Sequence, residues 1–254
     1  MHITDSHCHF DEAIFDADRE QALARARKAG VRTLILPAIS ARFWSRLRTV
    51  TRAHDGLYAA YGLHPLCLEN HRPEHLEELD GWLEREQPVA VGECGLDFYV
   101  EGLDPERQNY YFTEQIRLAR HHGLPLIVHV RRSVDQVIKY LRRFPGVQGV
   151  AHSFSGSQQQ ACKLIDLGFL LGVGGPITYP RARRLRRLVA TLPLESLMVE
   201  TDSPDQPLQG HQGQRNEPAC SARVLETVAQ LRGQDPQVVA ETTTANAYRL
   251  FGIR

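Results

Sequence analysis

The sequence predicts an α/β protein built as a TIM-type (β/α)8 barrel, in regular or distorted form. A short apolar run followed by an amphipathic helical stretch recurs about eight times along the 254 residues. The apolar runs are rich in Val, Ile and Leu, and several are nearly continuous, as expected for parallel strands buried on both faces. Because eight right-handed βαβ units close a barrel of this size, we expect one domain that spans residues 1–254.

The predicted strands are short segments, most of which end in polar residues. In chain order they are "HITDSH", "VRTLILPA", "LYAAYGLHP", "PVAVGECGLD", "LPLIVHV", "VQGVAHSF", "FLLGVGG" and "LMVETD". The alternative for alternating strands and helices is an open, doubly wound sheet. That fold favours a glycine-rich phosphate loop after the first strand, whereas the first predicted strand here runs into "DSHCHFDEA".

Helices are predicted between the strands, where apolar residues recur at helical spacing. Such residues are Leu23, Ala26 and Ala29; Trp44, Leu47 and Val50; Leu76, Leu79 and Leu83; Phe112, Ile116 and Ala119; and Leu185, Leu188, Val189 and Leu192. Asp104 and Pro105 suit an N-cap followed by proline at the first helical position. Gly30, Gly123 and Gly168 stand where helices should end.

The composition is that of an ordinary globular protein, with 42% hydrophobic and 24% charged residues. Lys plus Arg and Asp plus Glu number 30 each, so no overall field attracts the chain to nucleic acid or membrane. The N-terminus lacks the basic and apolar regions of a signal peptide. The five cysteines form no CxxC pair, which argues against disulfides and a thiolate zinc site. We expect a cytoplasmic protein with no membrane association and no obligate protein partner.

Potential ligands cluster at the carboxyl ends of the predicted strands, where the chemistry of a barrel enzyme is located. They are His7 and His9, His64, Glu93 and Asp97, His129 and Arg131, His152, and Glu200 and Asp202. Side chains alternate along a strand, so His7 and His9 share one face while Cys8 points to the other. We therefore interpret Cys8, and Cys94 beside Glu93, as buried hydrophobic residues rather than nucleophiles.

Four histidines and two carboxylates at one rim are about what two divalent cations require. His and carboxylate ligands suit Zn²⁺ or Mn²⁺ and, with more oxygen ligands, Mg²⁺. A carboxylate on a middle strand can bridge two ions about 3.5–4 Å apart, and such a pair activates water for hydrolysis. Each motif alone has an ordinary structural explanation, such as a hydrogen-bonded histidine or a capped turn. Together they indicate a metal centre at His7, His9, Glu93, His129, His152 and Asp202.

The chain resembles the TatD family of metal-dependent hydrolases, often called TatD deoxyribonucleases, in the amidohydrolase superfamily. The motifs that carry the resemblance run in family order from Asp5 to Gly252: "TDSHCHF", "GLHP", "GECGLDF", "PLIVHVR", "HSFSG", "ETDSP", "RNEP" and "NAYRLFG". The resemblance implies a TIM-type barrel and phosphodiesterase activity, commonly hydrolysis of DNA from a 3′ end. It also implies that His7, His9, Glu93 and Asp202 bind one ion, and that His129 and His152 bind a second with Glu93 as the bridge.

Two segments depart from the pattern of the family. "AHSFSG" has Ser153 where "HCFSG" is common, at a position that is no ligand. "TDSPDQP" has Asp205 and Gln206 where many members have an aromatic and an aliphatic residue. The second departure bears on substrate preference and leaves the predicted metal ligands intact.

Further roles follow from a hydrolytic site of this kind. Asp202 is expected to accept the proton of the attacking water, and His64 to contact the phosphate or protonate the leaving oxygen. Arg131 is expected to bind a non-bridging oxygen through two hydrogen bonds. Arg215 and Asn216 of "RNEP" are candidate substrate-binding residues, with bracing of the loop as the alternative.

The run "YPRARRLRRL", residues 179–188, is the clearest basic segment. We interpret it first as the solvated face of an outer helix, and otherwise as a contact for a nucleic-acid backbone. Phe98, Tyr99 and Tyr179 are candidates for base stacking.

Three functions remain open from the sequence: a nuclease that acts on DNA ends, a small-molecule hydrolase of the amidohydrolase superfamily, and a metal-binding interaction module without turnover. A bridging carboxylate at Glu93, where many small-molecule members use a modified lysine, favours the nuclease. The neutral charge balance favours the small-molecule hydrolase. The complete ligand set argues against the module, since a structural metal site needs no open position for water.

Overall fold

A computed structural model describes all residues from 1 to 254. The strands are β1 (Ile3–Asp5), β2 (Val31–Pro37), β3 (Leu57–Tyr61), β4 (Ala90–Asp97), β5 (Leu126–Arg131), β6 (Gly149–Ala151), β7 (Phe169–Val173) and β8 (Leu197–Val199). The helices are α1 (Arg19–Lys28), α2 (Trp44–Ala53), α3 (Glu74–Glu86), α4 (Pro105–His122), α5 (Val134–Leu141), α6 (Gln158–Asp166), α7 (Arg183–Thr191), α8 (Ser221–Arg232) and α9 (Pro236–Phe251).

The eight strands form one parallel sheet in the order of the chain, from β1 to β8. The first and last strands also meet, because the Ser6 amide donates to the Val199 carbonyl at 2.9 Å and the Asp202 amide donates to the His7 carbonyl at 2.9 Å. The sheet is therefore a (β/α)8 barrel, and the predicted fold class is confirmed. The barrel is irregular, since β1, β6 and β8 have three residues each and the register shifts within β4.

Two groups of apolar side chains fill the protein. The larger lies between the strands and the helical layer and includes Cys8, Trp44 and Phe112. The smaller takes residues from strands on all sides of the ring, among them Ile35, Ile127 and Met198, which meet only inside the barrel. Ala247 and Phe251 of α9 belong to this inner group and close the end of the barrel opposite the predicted site.

Local signals at the ends of the helices agree with the structure. The Asp104 side chain accepts hydrogen bonds from the amides of Glu106 and Arg107 and caps α4, which ends at Gly123 in the left-handed region (φ +65°). The alternating pattern does not predict that two helices, α8 and α9, follow β8. No helix combines the length and the apolar character that crossing a membrane needs.

Candidate metal centre

A cavity of about 610 Å³ opens at the carboxyl ends of the strands, where the sequence predicts the site. Its lining includes five of the six predicted metal ligands, and His7 lies fully buried directly beneath them. The other polar residues around it are Glu12, His64, Arg131, Ser153, Ser155, Asp205 and Gln206.

Glu93 lies at the centre of the cluster and faces two groups of histidines with its two oxygens. Oε2 is 3.1 Å from His7 Nε2 and 3.5 Å from His9 Nε2. Oε1 is 3.0 Å from His129 Nδ1 and 3.4 Å from His152 Nε2. One carboxylate thus joins two sets of ligands, which is the geometry that a bridging residue needs.

Asp202 completes the set on the Oε2 side of Glu93. Its Oδ1 is 3.4 Å from His7 Nε2 and 3.5 Å from His9 Nε2, and the two imidazole nitrogens are 3.3 Å apart. His9 Nδ1 lies 3.2 Å from the Pro37 carbonyl, which only accepts, so Nδ1 donates there and the Nε2 lone pair faces the cluster.

Lone pairs and carboxylate oxygens at these distances repel unless positive charge lies among them. The pKa values of these groups also indicate that the cluster favours positive charge. Burial opposes charge on His9 and His152, yet the nearby carboxylates outweigh it and raise their pKa values to about 9 and about 10. Despite burial, the surrounding histidines hold the pKa of Glu93 well below its usual range. The donor set, imidazole nitrogens with two carboxylates and no thiolate, fits Zn²⁺ or Mn²⁺.

Two further carboxylates orient the histidines from behind. Asp97 Oδ2 lies 2.9 Å from His129 Nε2, and Glu200 Oε1 lies 3.1 Å from His152 Nδ1. Each ring therefore donates its outer N–H to a carboxylate and directs its other nitrogen at Glu93. Gly172 leaves the room for Glu200, because a Cβ at that position would lie 2.1 Å from Glu200 Oε2.

His64 is buried beside the cluster with its tautomer fixed by the backbone. Its Nδ1 accepts from the Leu66 amide at 3.1 Å, so Nε2 carries the proton and donates to Glu93 Oε1 at 3.1 Å. Burial lowers the pKa of His64. A neutral ring of this kind serves as a hydrogen-bond donor in the cavity rather than as an acid.

The three candidate substrate-binding residues lie in different surroundings. Arg131 lines the cavity, with its guanidinium carbon 3.8 Å from the centre of the Tyr99 ring. Arg215 lies outside the cavity lining and binds Asp18 and Glu217 through ion pairs of 2.7 and 2.8 Å. Asn216 is buried, and its side-chain amide donates to the carbonyls of Thr201, Asp205 and Gln206. These bonds support the bracing alternative for the "RNEP" segment.

Gln206 contacts the site in a way that the sequence alone did not reveal. Its Nε2 donates to Asp202 Oδ2 at 2.5 Å and to Ser153 Oγ at 2.9 Å. Asp202, Ser153 and Gln206 all adopt positive φ, at +56°, +46° and +50°, a conformation that is costly outside glycine and concentrates at functional sites. The sequence signal for this contact is Gln206 itself, which stands where many members of the family have an aliphatic residue.

The cysteines beside the ligands behave as predicted. Cys8 and Cys94 are fully buried, and burial raises the pKa of both thiols. Neither thiol is therefore a nucleophile at neutral pH.

Comparisons with known proteins agree with the geometry. The sequence model of the family described as TatD related DNase matches residues 4–252. The chain is 45% identical over 252 residues to the uncharacterized metal-dependent hydrolase YjjV of Escherichia coli K12, covering 98% of this chain and 97% of that protein. It is 35% identical over 246 residues to the 3′-5′ ssDNA/RNA exonuclease TatD of Cronobacter sakazakii, covering 93% of each. The crystal structure of the Escherichia coli TatD homologue YjjV superimposes with a TM-score of 0.95 at 44% identity, covering 99% of this chain and 98% of that one.

Proposed function

The chain belongs to the TatD related DNase family of metal-dependent hydrolases, and we propose from this premise that it hydrolyses phosphodiester bonds at the ends of single-stranded nucleic acid. The observation that carries the proposal is the two-sided contact of Glu93, with His7 and His9 at one oxygen and His129 and His152 at the other. A relative that is 35% identical carries the name of a 3′-5′ exonuclease for single-stranded DNA and RNA.

The proposed cofactor is a pair of divalent cations, Mg²⁺, Mn²⁺ or Zn²⁺. His7, His9, Glu93 and Asp202 would hold one, and His129 and His152 would hold the second together with Glu93. When bound, such cations supply a water of lowered pKa and positive charge that stabilises a phosphoryl oxyanion.

The chain's own residues supply proton transfer and orientation. Asp202 accepts the proton of the attacking water, and Gln206 holds its carboxylate by donating to Oδ2. The one N–H of His64 donates to Glu93 Oε1, so His64 orients the bridging carboxylate, and it can contact a phosphate oxygen or the leaving oxygen only by exchanging that bond. Arg131, which lines the cavity, binds a non-bridging oxygen.

The second candidate function is hydrolysis of a small molecule such as an amide, a lactone or a phosphoester. The observation that favours it is the balance of 30 basic and 30 acidic residues, because nucleic-acid-binding domains usually carry an excess of positive charge.

One experiment separates the two functions. Purified protein is stripped with chelator, reloaded with Mg²⁺, Mn²⁺ or Zn²⁺, and incubated with labelled single-stranded DNA, RNA and a panel of small esters and lactones. We expect stepwise release of mononucleotides that chelator abolishes. Hydrolysis of small esters with no cleavage of any nucleic acid would contradict the proposal and favour the second candidate.

We predict that Glu93→Gln lowers kcat/KM on single-stranded DNA by at least about 1000-fold and lowers the bound metal, since the bridge between the two ligand sets loses its charge. Metal content by atomic emission and kinetics by gel assay measure the two effects. Glu84→Gln on the exposed side of α3 is the matched control. A Glu93→Gln protein with full activity would refute the bridging role.

A further inference from the structure

The mouth of the cavity carries acidic residues on one side. Glu12 follows β1 and Asp205 follows β8, and both line the cavity. We call this pair the acidic side. Neither carboxylate forms an ion pair, and the two arginines Arg19 and Arg46 bind Asp16 instead.

The two carboxylates of the acidic side lie close enough to interact electrostatically. Burial raises the pKa of Glu12, and the charges of Asp11 and Asp205 raise it further although His9 opposes them. Burial and the charge of Asp202 raise the pKa of Asp205. A phosphate brought close to these carboxylates is repelled when they are ionised.

Basic residues border the mouth on another side. Arg131 ends β5 and Arg132 follows it, with guanidinium carbons 3.8 and 4.7 Å from the centre of the Tyr99 ring. Arg184, near the start of α7, donates to the carbonyl of Ser155 on the cavity wall at 2.6 Å. None of these three arginines, which we call the basic side, forms a salt bridge within the chain. Their charges are free for a polyanion.

The barrel separates the two sides around the central metal ligands. The strands follow one another in chain order around the ring, and β8 returns to β1. The acidic side therefore occupies the junction of β8 with β1, whereas Arg131 at the end of β5 is four strands from β1 and three from β8, and Arg184 in α7 follows β7. A strand of nucleic acid that extends from the centre toward Arg131 leads away from the acidic side.

A nucleic-acid strand carries one negative charge per phosphate. The phosphates of nucleotides bound next to the basic side are attracted by its arginines. An additional phosphate next to the acidic side is repelled by its carboxylates. A terminal nucleotide with a free hydroxyl avoids this repulsion, and its hydroxyl can donate to a carboxylate.

We propose that Glu12 and Asp205 form an electrostatic stop that restricts hydrolysis to strand ends that carry a hydroxyl. The inference rests on the proposed function, because it concerns the selection of substrate at the same centre. It assigns a role in specificity to Glu12 and Asp205, which are not expected to bind metal or to transfer protons.

The test compares linear and covalently closed circular single-stranded DNA of one sequence, together with a linear strand that ends in a 3′-phosphate. Each is incubated with the metal-loaded protein and with a Glu12→Gln, Asp205→Asn double variant. We expect the wild-type protein to degrade the hydroxyl-ended strand at least about 100-fold faster than the other two. The variant should raise the rate on the circle, relative to the linear strand, by about tenfold or more, and this gain should shrink at high salt.

A matched control removes the same charge elsewhere. Glu84→Gln with Asp166→Asn neutralises two exposed carboxylates on α3 and α6, and it should leave the circle-to-linear ratio at the wild-type value. The single variants Glu12→Gln and Asp205→Asn replace the double variant if that protein does not fold.

The outcomes separate the two proposals. A wild-type protein that cuts circles as fast as linear strands, or a variant with an unchanged ratio, would overturn the electrostatic stop and leave the nuclease function standing. Absence of hydrolysis on every nucleic acid would overturn the proposed function, and the stop with it.

Discussion

At the level of single residues, the centre depends on carboxylates that contact the histidine rings from behind. Asp97 receives three hydrogen bonds: Tyr99 and Val100 amides donate to Oδ1 at 2.8 and 3.0 Å, and His129 donates to Oδ2 at 2.9 Å. These bonds keep Asp97 ionised, because burial is outweighed and its pKa falls to about 2. The proton of His129 is thereby held at Nε2, which leaves the Nδ1 lone pair directed toward Glu93.

We predict that Asp97→Asn lowers metal affinity by about 10- to 100-fold with little loss of stability. The asparagine oxygen keeps the backbone bonds, but its amide faces His129 Nε2 and forces the proton onto Nδ1. Calorimetric titration with Mn²⁺ measures the affinity. Asp104→Asn, the same change at the cap of α4, should bind metal normally. Normal affinity in Asp97→Asn would show that the tautomer of His129 is set by something else.

Residue by residue, the sequence predicts which side chains converge at the centre but not the contacts that support them. His7 and His9 follow from alternation along a strand, and Glu93, His129, His152 and Asp202 follow from positions at strand ends. The contact of Gln206 with Asp202 requires a loop that returns through positive φ, which no periodic pattern encodes. The sequence also does not decide the role of Arg215, because the "RNEP" motif does not show that Arg215 forms ion pairs with Asp18 and Glu217.

At the level of elements, α9 closes the barrel at the end opposite the centre. Its Ala247 and Phe251 pack on Ile35, Ile127 and Met198 inside the barrel. The alternating pattern does not predict that α9 follows α8, and a pattern of apolar residues does not say which surface a helix covers. The position of α9 is determined by the apolar side chains inside the barrel, which would be exposed to water at that end without the helix.

We predict that Phe251→Ala destabilises the protein by about 3–5 kcal/mol, because Phe251 is 5% exposed and its removal leaves a cavity. Denaturant unfolding measures the loss. Val238→Ala on the same helix removes a side chain that is 46% exposed and should cost less than about 0.5 kcal/mol. Metal content should be unchanged in both proteins. An equal loss of stability in the two variants would contradict the conclusion that α9 closes the end of the barrel.

At the level of the whole molecule, folding brings together groups that oppose one another. Four imidazoles and two carboxylates converge within hydrogen-bond range, at a cost that cation binding offsets. A ligand that binds only the folded chain stabilises it by about 2.7 kcal/mol at 100 times its dissociation constant.

We predict that Mn²⁺ at saturation raises the melting temperature by roughly 5–10 °C over protein in excess chelator, from the usual 2–4 °C per kcal/mol for chains of this size. Differential scanning fluorimetry measures the shift. Glu93→Gln should show a much smaller rise. Identical melting temperatures with Mn²⁺ and with chelator would mean that the cluster does not bind the ion.

The junction of β8 with β1 also has a consequence for how the protein is made. His7 and His9 leave the ribosome early, whereas Asp202 follows almost two hundred residues later, and the backbone bonds between His7 and Asp202 join the two ends of the sheet. A growing chain therefore holds His7 and His9, two of the six candidate ligands, without Asp202 for most of translation. The full set of six candidate ligands therefore exists only after Asp202 has been made and β8 has closed the barrel against β1.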